Sequence, residues 1–530
     1  MDKLLTWVAR FVQFAFWYCT DFMANLANRT HTSYNETNTW VLLLLIPGLL
    51  ALLTGVRIAQ WFQLRRLAAR RPPPLLSYTL NCPLGSSFFM TFRKHSLALL
   101  LLLSGYGAVA QVAAPARKAP ARKVVAAKAM PATATVDPAA AQRIDQLLRE
   151  YTAANRVPGA IALVMRDGKV LYRKAVGLDD VAAQTPLRTD AIVRIASQTK
   201  AITSIGLMLL YDEGKFQLDD PISKYLPAFK NPKVLVSFNE KDSTYTTVPA
   251  KSEITIRQLF THTSGIGYPI IGSKEARGIY AKAHIPSGIG TPAGSLAKSM
   301  DALGALPLMH QPGERFTYGL SVDVLGRLIE VLSGQPLDKY LRARLFEPLG
   351  MKDTWFYLPA DRQARLARLY TEDANQQTAF MGPRDGMIPD YPKAAGTYFS
   401  GGAGLSSTID DYARFLQMLL DNGRYNGRQL LKPATVALIR QNQIGNLSQG
   451  GNKFGLGFSI VTAESAAKQP VGLSEGSYEW GGIFGTTYWV DPKAKLVALI
   501  YTQKYPSGTA RDLADKFKTA VYQSFVAGSK

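Results

Sequence analysis

The chain has 530 residues, of which 47% are hydrophobic and 10% aromatic, so it contains ample material for a large buried core. By length alone roughly two to four domains are expected, although large mixed α/β units can exceed that size. The net charge of +22 would indicate a nucleic-acid partner only if it were concentrated in a dense basic block. Residues 1–130 carry 15 Lys/Arg and 3 Asp/Glu, and the remaining excess is spread thinly, so no nucleic-acid partner is expected.

The two cysteines, Cys19 and Cys82, both precede the part of the chain that has the pattern of a folded domain. That domain therefore has no cysteine for a disulfide framework or a Cys-based metal site. The histidines show no metal-ligand spacing, and no Gly-rich phosphate loop is evident. We therefore expect no metal and no cofactor.

Residues 1–89 contain a candidate membrane segment. Residues 41–56 are apolar and, with their flanks, about long enough to span a bilayer. Trp40 and Trp61 stand where interfacial aromatic residues are common, and several arginines follow. By the positive-inside rule the arginine side would remain in the cytoplasm.

A second targeting pattern occupies residues 90–110. Basic residues at 93–95, an apolar run at 97–103 and Ala-Val-Ala at 108–110 have the order of a secretory signal peptide. Either translation starts at Met90 and residues 1–89 are an over-extended gene prediction, or 41–56 and 90–110 are two membrane segments. Both interpretations place the rest outside the cytoplasm, periplasmic or extracellular, with a membrane anchor if the N-terminal region is retained. The Ala/Pro/Lys-rich residues 111–136 indicate a flexible linker.

Residues 137–530 have strand and helix patterns at both ends. A helix is expected at about 138–154, strands at 160–165, 170–176, 454–461, 486–490 and 496–502, and a last helix from about Arg511. Residues 219–350 predict mainly helices and long loops, with a polar insertion at 239–244. This order predicts an α/β (α+β) domain in which both ends of the chain build one sheet and a mainly helical subdomain packs beside it.

Ser197-Gln198-Thr199-Lys200 leads into an apolar helical run that ends at Gly214. Ser197 is therefore expected near a helix N-terminus, with Lys200 one turn later on the same face. A serine hydroxyl becomes a strong nucleophile when a base takes its proton. A lysine can be that base where desolvation or nearby positive charge favours its neutral form. Alone, the pattern also fits a capping serine followed by a solvated lysine.

Two later segments add to this pattern. Tyr318 is expected at the end of a loop before a helix at 322–332, where its phenol could face a cleft. Trp480-Gly481-Gly482 supplies glycines that let a strand edge approach a ligand. Each also has a simpler explanation, namely a tyrosine packed in the core and a bulge in a strand.

In this order, Ser197-x-x-Lys200, Tyr318 and Trp480-Gly481-Gly482 resemble the serine β-lactamase superfamily, specifically class C β-lactamases and family VIII carboxylesterases. Family-like stretches also occur at 218–221, 259–265, 348–351 and 401–405. The resemblance covers roughly residues 137–526. It implies a β-lactamase/transpeptidase-like fold with an antiparallel sheet flanked by helices.

The resemblance also implies a serine hydrolase mechanism. Ser197 would attack a carbonyl and form an acyl-enzyme, while Lys200 and Tyr318 handle the proton. The backbone N–H groups of Ser197 and Ile483 would form the oxyanion hole. Water would then release the acyl group.

Two departures from the family pattern bear on the substrate, which we expect to contact Trp480, Gly481, Gly482 and Leu320. Leu320 stands where the family often has an asparagine, so an amide-recognising hydrogen bond is missing. Trp480 stands where β-lactamases carry a lysine that attracts the substrate carboxylate. Both changes favour an ester or another neutral small-molecule acyl substrate.

Other interpretations remain open at the level of sequence. A β-lactamase or a D-amino-acid peptidase or amidase of the same superfamily would share the chemistry, and a catalytically inactive exported binding or sensor protein would share the fold. Residues 472–476 match the G-x-S-x-G nucleophile elbow, but the required histidine would have to follow, and the last histidine is His310. His262 is expected in a structural turn rather than in catalysis.

Overall fold

The computed structural model describes residues 138–375, 377–383, 387–468, 471–506 and 508–526. The expected membrane segment at 41–56, the signal sequence at 90–110 and the linker at 111–136 lie outside these ranges. Within them, no helix combines the length and the apolar character needed to cross a bilayer.

Helices and strands follow one another along the whole of this described part of the chain. The helices are α1 (Pro138–Ala153), α2 (Thr199–Asp212), α3 (Ile256–Phe260), α4 (Lys274–Lys282), α5 (Leu296–Gly304), α6 (Ser321–Ser333), α7 (Leu337–Leu341), α8 (Glu347–Leu349), α9 (Ala360–Gln363), α10 (Ile409–Leu420), α11 (Pro433–Ile439), α12 (Ala463–Ala467) and α13 (Gly508–Phe525). The strands are β1 (Gly159–Arg166), β2 (Lys169–Asp180), β3 (Thr185–Pro186), β4 (Val193–Arg194), β5 (Lys233–Phe238), β6 (Tyr245–Pro249), β7 (Tyr370–Glu372), β8 (Thr378–Phe380), β9 (Ser406–Ser407), β10 (Arg424–Tyr425), β11 (Arg428–Gln429), β12 (Lys453–Phe454), β13 (Ser459–Ile460), β14 (Tyr478–Gly482), β15 (Thr486–Asp491) and β16 (Leu496–Tyr501).

The main sheet of the described residues is antiparallel and has the strand order β12-β13-β14-β15-β16-β1-β2-β3. Its centre is the pairing of β1 with β16, in which Ile161 lies opposite Tyr501. The first strands of the domain therefore pair directly with the last. This confirms the prediction that both ends of the chain build one sheet.

Both faces of this sheet are covered, so β1 is buried on both sides. Because successive side chains of a strand point to opposite faces, Ala162 and Val164 pack with α1 and α13. Ile161 and Leu163 face the larger core, which includes the apolar residues of α2 and α6. The sheet therefore separates a two-helix layer from the mainly helical subdomain.

Most predicted elements are confirmed, and two differ. The polar residues 239–244 form the turn of the β5–β6 hairpin rather than an insertion between helices. The expected strand at 454–461 is broken into β12 and β13, because Gly457 has a φ of +95° at the turn between them. The hairpin differs from the prediction because the exposed residues of β5 and β6 give no buried-strand pattern, whereas the break in the expected strand at 454–461 occurs where a glycine interrupts an apolar run.

Candidate active site

Ser197 lies in a single 3₁₀ turn, Ala196–Gln198, immediately before α2. Ala196 has a φ of +41°, a left-handed conformation that costs an alanine roughly 1–2 kcal/mol. Such strain persists where surrounding contacts fix the backbone, and here the Ile195 N–H donates to the Leu405 carbonyl at 3.1 Å. Ala196 and Gln198 are buried, whereas Ser197 is partly exposed. The turn therefore presents the serine side chain to a solvent-accessible face.

Lys200, one turn after Ser197, is 2% exposed. Its Nζ donates a hydrogen bond to the Gly402 carbonyl at 2.8 Å and lies 4.6 Å from the centre of the Tyr318 ring. The Tyr268 ring is 5.5 Å from the same nitrogen. The amine is thus desolvated and enclosed by aromatic faces, which is not the environment of a solvated surface lysine.

Tyr318 brings its ring to this amine from the loop before α6. The ring stacks parallel to Tyr268 with centroids 5.9 Å apart and lies 5.6 Å from the ring of Trp480. The Tyr318 hydroxyl is buried and has no hydrogen-bond partner among the described residues. Because the hydroxyl of Tyr478 is also buried and unbonded in the described structure, the feature that makes Tyr318 a candidate for acting on a substrate is the position of its ring beside the Lys200 amine.

Trp480, Gly481 and Gly482 form the end of β14. The neighbouring strand β13 pairs only with Tyr478 and Glu479, so the three residues leave that edge of β14 open in the described structure. A Cβ on Gly482 would lie 2.4 Å from the Ile195 carbonyl oxygen. Glycine is therefore required for the strand to approach the turn that carries Ser197.

The remaining predicted site residues differ in where they lie. Ile483 follows β14 and packs in the same apolar cluster as Ala196, next to the serine turn. Leu320, in contrast, is 0% exposed and belongs to the main core. The structure therefore brings Lys200, Tyr318, Trp480 and the glycines to the serine turn, but it does not expose the Leu320 side chain to a ligand.

Asp323 is a site residue that the sequence pattern did not reveal. It is 0% exposed, and Ser400 Oγ donates to its Oδ1 at 2.6 Å. Burial raises the pKa of Asp323, and the nearby Lys200 charge acts in the opposite direction. A Cβ on Gly402 would lie 2.3 Å from Asp323 Oδ2, so the carboxyl group abuts the loop that binds Lys200. The sequence signal that could have identified Asp323 is an acidic residue among the apolar residues at the start of α6.

Tyr268 is a second residue that was missed. Burial raises the pKa of the Tyr268 phenol well above its usual value of 10.0. Its hydroxyl donates to the Ser287 carbonyl at 2.9 Å. This phenol is therefore bonded and neutral, and it serves as a wall against Tyr318 rather than as a base.

The G-x-S-x-G match at 472–476 has no elbow geometry. Ser474 lies in a turn that leads into β14, and its backbone N–H is bonded to the Asp491 carboxylate at 3.1 Å. A nucleophile elbow needs a strand before the serine and a helix after it. Among the residues that the structure describes, no cluster of three or more His, Cys, Asp or Glu could hold a metal ion.

Tyr318 and Tyr268 contribute to the wall of a cavity of about 680 Å³. The remaining wall combines apolar residues, Leu235, Phe238, Ile271, Met309 and Phe316, with the charged Glu240, Lys274, Glu275 and Arg315, and we name this cavity the apolar cleft after the first group. A larger cavity of about 1310 Å³ is lined by α13 and by Trp480, Gly481, Gly482 and Ile483, and neither lining includes Ser197 or Lys200. We take the apolar cleft as the candidate substrate site because its lining includes Tyr318, whose ring lies beside the Lys200 amine.

The fold and this site define a serine hydrolase of the β-lactamase type. A sequence model of the Beta-lactamase family matches residues 144–523, and the chain belongs to this family. The fold class and the family expected from the sequence are thereby confirmed.

Known relatives and structures agree with this assignment. Protein Rv1367c of Mycobacterium tuberculosis (strain ATCC 25618 / H37Rv) is 36% identical over 374 residues, covering 68% of this chain and 89% of that protein. Esterase EstB of Burkholderia gladioli is 31% identical over 413 residues, covering 73% of this chain and 99% of EstB. The solved structure of EstCE1, a hydrolase with promiscuous acyltransferase activity, has a TM-score of 0.62 at 26% identity and covers 72% of this chain and 98% of EstCE1.

Proposed function

We propose that this protein hydrolyses esters through an acyl-enzyme formed on Ser197. The observation that carries the proposal is the buried Lys200 amine, 4.6 Å from the ring of a tyrosine whose hydroxyl is unbonded, one turn from a partly exposed serine. The name of the relative EstB, an esterase, supports an ester as the substrate. The alternative, a catalytically inactive binding or sensor protein, does not explain why the serine, the lysine and the tyrosine are all present in one site.

The chemistry follows from these positions. Ser197 Oγ attacks the ester carbonyl carbon, and its proton passes to the Lys200–Tyr318 pair. The N–H groups of Ser197 and Ile483 donate to the oxyanion. The ester C–O bond then breaks, the alcohol oxygen takes up the proton, and the acyl group stays on Oγ. Water attacks the same carbonyl and loses a proton to the pair. The bond between Oγ and the acyl carbon then breaks, the pair returns that proton to Oγ, and the acid leaves.

The surroundings of Tyr318 favour a substrate that does not need a negative charge in order to bind. Trp480 places an uncharged indole beside Tyr318, and Tyr318 also lines the apolar cleft. An acyl or alcohol group with apolar surface would bury it there, at about 25 cal/mol for each Å² removed from water. This supports a neutral ester over a β-lactam carboxylate or a D-amino-acid peptide.

The purified domain is expected to hydrolyse p-nitrophenyl acetate and butyrate and to turn over a cephalosporin poorly. A charge-assisted hydrogen bond contributes about 1.5–3 kcal/mol, so an absent lysine at position 480 corresponds to a loss of roughly 10- to 150-fold. Rates of p-nitrophenol release and of β-lactam ring opening, each expressed as kcat/KM, test this. Efficient cephalosporin turnover without esterase activity would contradict the proposal.

The apolar cleft gives a second expectation. Val236 lines it and is 62% exposed, so Val236→Asp places a charge in the cleft without disturbing the core. Burial of a valine side chain contributes about 1.5 kcal/mol, so KM for a p-nitrophenyl octanoate should rise roughly tenfold, and more than KM for the acetate. Val331→Asp is the matched control, because Val331 is 39% exposed on α6 and is not in the cleft lining. An equal effect of the two substitutions would show that octanoate does not use the cleft.

Export is a separate proposal that rests on the sequence before the domain. The signal-like residues 90–110 support secretion, and the apolar residues 41–56 support a membrane anchor if they are translated. N-terminal sequencing of the protein from the cell envelope tests both. A mature N-terminus near Gln111 would support cleavage of the signal, and an intact chain in the cytoplasm would contradict export.

A further inference from the structure

The loop that carries Tyr318 is held on both sides of that residue by His262. The His262 carbonyl accepts the Thr317 N–H at 2.7 Å, and the imidazole Nδ1 accepts the Gly319 N–H at 3.4 Å. The imidazole ring also lies against the Tyr318 ring, with centroids 4.7 Å apart. One residue therefore contacts the backbone before the tyrosine, the backbone after it and its ring.

The backbone of His262 is itself in an unusual conformation. Its φ is +55°, and the residue is almost fully buried. A left-handed conformation at a non-glycine residue costs roughly 1–2 kcal/mol and is kept where neighbouring contacts determine it. The Leu320 N–H also donates to the Gly267 carbonyl at 3.0 Å, so a further hydrogen bond joins the loop of Tyr318 to the segment that contains His262.

The protonation state of His262 suits the role of acceptor. Burial, and then the charge of Lys200, lowers the pKa of His262 well below its ordinary value of 6.5. In the neutral ring that accepts at Nδ1, the proton is on Nε2. The Gly319 N–H therefore meets a lone pair rather than a second N–H.

A second histidine anchors the same loop. His310 Nδ1 lies 2.8 Å from the Gln311 carbonyl, to which it can only donate, so the neutral ring accepts at Nε2. The partner at Nε2 is the Thr317 hydroxyl, at 2.8 Å. Thr317 is thus held by its backbone to His262 and by its side chain to His310.

We propose that His262 is a positioning residue for the Tyr318 phenol and acts through the Gly319 N–H···Nδ1 bond, with His310 and Thr317 as the second anchor. This inference rests on the proposed role of Tyr318 in proton transfer. A base that is displaced by about 1 Å can lose on the order of 100-fold in rate, so loss of the bond should lower kcat and leave KM nearly unchanged.

Two substitutions at position 262 separate the hydrogen bond from the aromatic packing. His262→Phe keeps a ring but removes the acceptor. His262→Asn loses the ring, keeps an acceptor oxygen near the Nδ1 position and tolerates a positive φ. For p-nitrophenyl acetate, with active serines counted by end-point labelling with a fluorophosphonate, His262→Phe should lower kcat about 10- to 100-fold. For His262→Asn, kcat should stay within about fivefold of the wild-type value, which is a smaller change than a displaced base would cause.

The outcomes distinguish the inference from the proposed function. Equal losses of kcat in the Phe and Asn variants, or no loss in either, would overturn the hydrogen-bonded positioning. If Tyr318→Phe itself keeps full activity, the role of Tyr318 on which this inference rests fails, whereas a wild type without esterase activity would contradict the proposed function. Should His262→Phe not fold, Thr317→Val removes the hydroxyl that His310 binds with little change in volume, and it should lower kcat with KM unchanged. A folded Thr317→Val enzyme with wild-type kcat would also overturn the inference.

Discussion

Ser197→Ala is expected to lower kcat for p-nitrophenyl acetate by about 10⁴- to 10⁶-fold, the loss found when a serine nucleophile is removed. The thermal midpoint should change little, because the side chain is partly exposed and its removal leaves no buried cavity. The same variant should not react with a fluorophosphonate. Rapid quenching of the wild type with substrate, followed by mass spectrometry, should show the acyl adduct on the peptide that contains Ser197.

Ser204→Ala is the matched control for this experiment. Ser204 lies on the same helix, α2, and its buried hydroxyl has no hydrogen-bond partner among the described residues. Its removal should leave kcat and labelling within about twofold of the wild type, as for substitutions away from the chemistry. Residual activity of the Ser197 variant near the wild-type level would assign the nucleophile elsewhere and remove the basis of the mechanism.

The sheet could be predicted because its strands are recognisable locally. The apolar runs of β1, β15 and β16 are bounded by turn residues, and the Asp167-Gly168 turn has positive φ at both positions, as a tight hairpin requires. The β5–β6 hairpin was missed for the opposite reason. Several of its residues, including Val236, are exposed, so a continuous buried-strand pattern does not develop.

The site could be predicted only in part, because its contacts join distant segments. The spacing alone predicts that Ser197 and Lys200 lie one turn apart, whereas Tyr318 could be chosen only as a loop residue and its role came from the family resemblance. The contacts of His262 with Gly319 and of Asp323 with Ser400 join distant segments, and no local pattern indicates them. An acid in an apolar helix predicts a buried charge that needs a partner, but it does not identify the partner.

Tyr318→Phe is expected to lower kcat by about 10²- to 10⁴-fold, the usual contribution of a general acid–base group. The substitution retains the ring, and with it the stacking on Tyr268 and the contact with Lys200. KM should therefore change much less than kcat. The measurement is steady-state hydrolysis of p-nitrophenyl acetate, accompanied by thermal unfolding of the same samples.

The stability of this variant gives a second, independent readout. A buried polar group without a partner costs about 1–3 kcal/mol, and the Tyr318 hydroxyl has no partner within the described structure. Removing it should leave the free energy of unfolding unchanged or raise it. A phenol that was merely structural would give the reverse, since its loss would destabilise the fold and leave the folded enzyme active.

Tyr478→Phe is the matched control, because Tyr478 is also buried and its hydroxyl also has no partner among the described residues. Its free energy of unfolding should likewise be unchanged or higher, and its kcat should not fall. If both variants stay active, Lys200 alone must accept the serine proton. If only Tyr318→Phe is inactive while both are at least as stable as the wild type, the unbonded phenol is retained for its chemistry, since it contributes nothing to the stability of the fold.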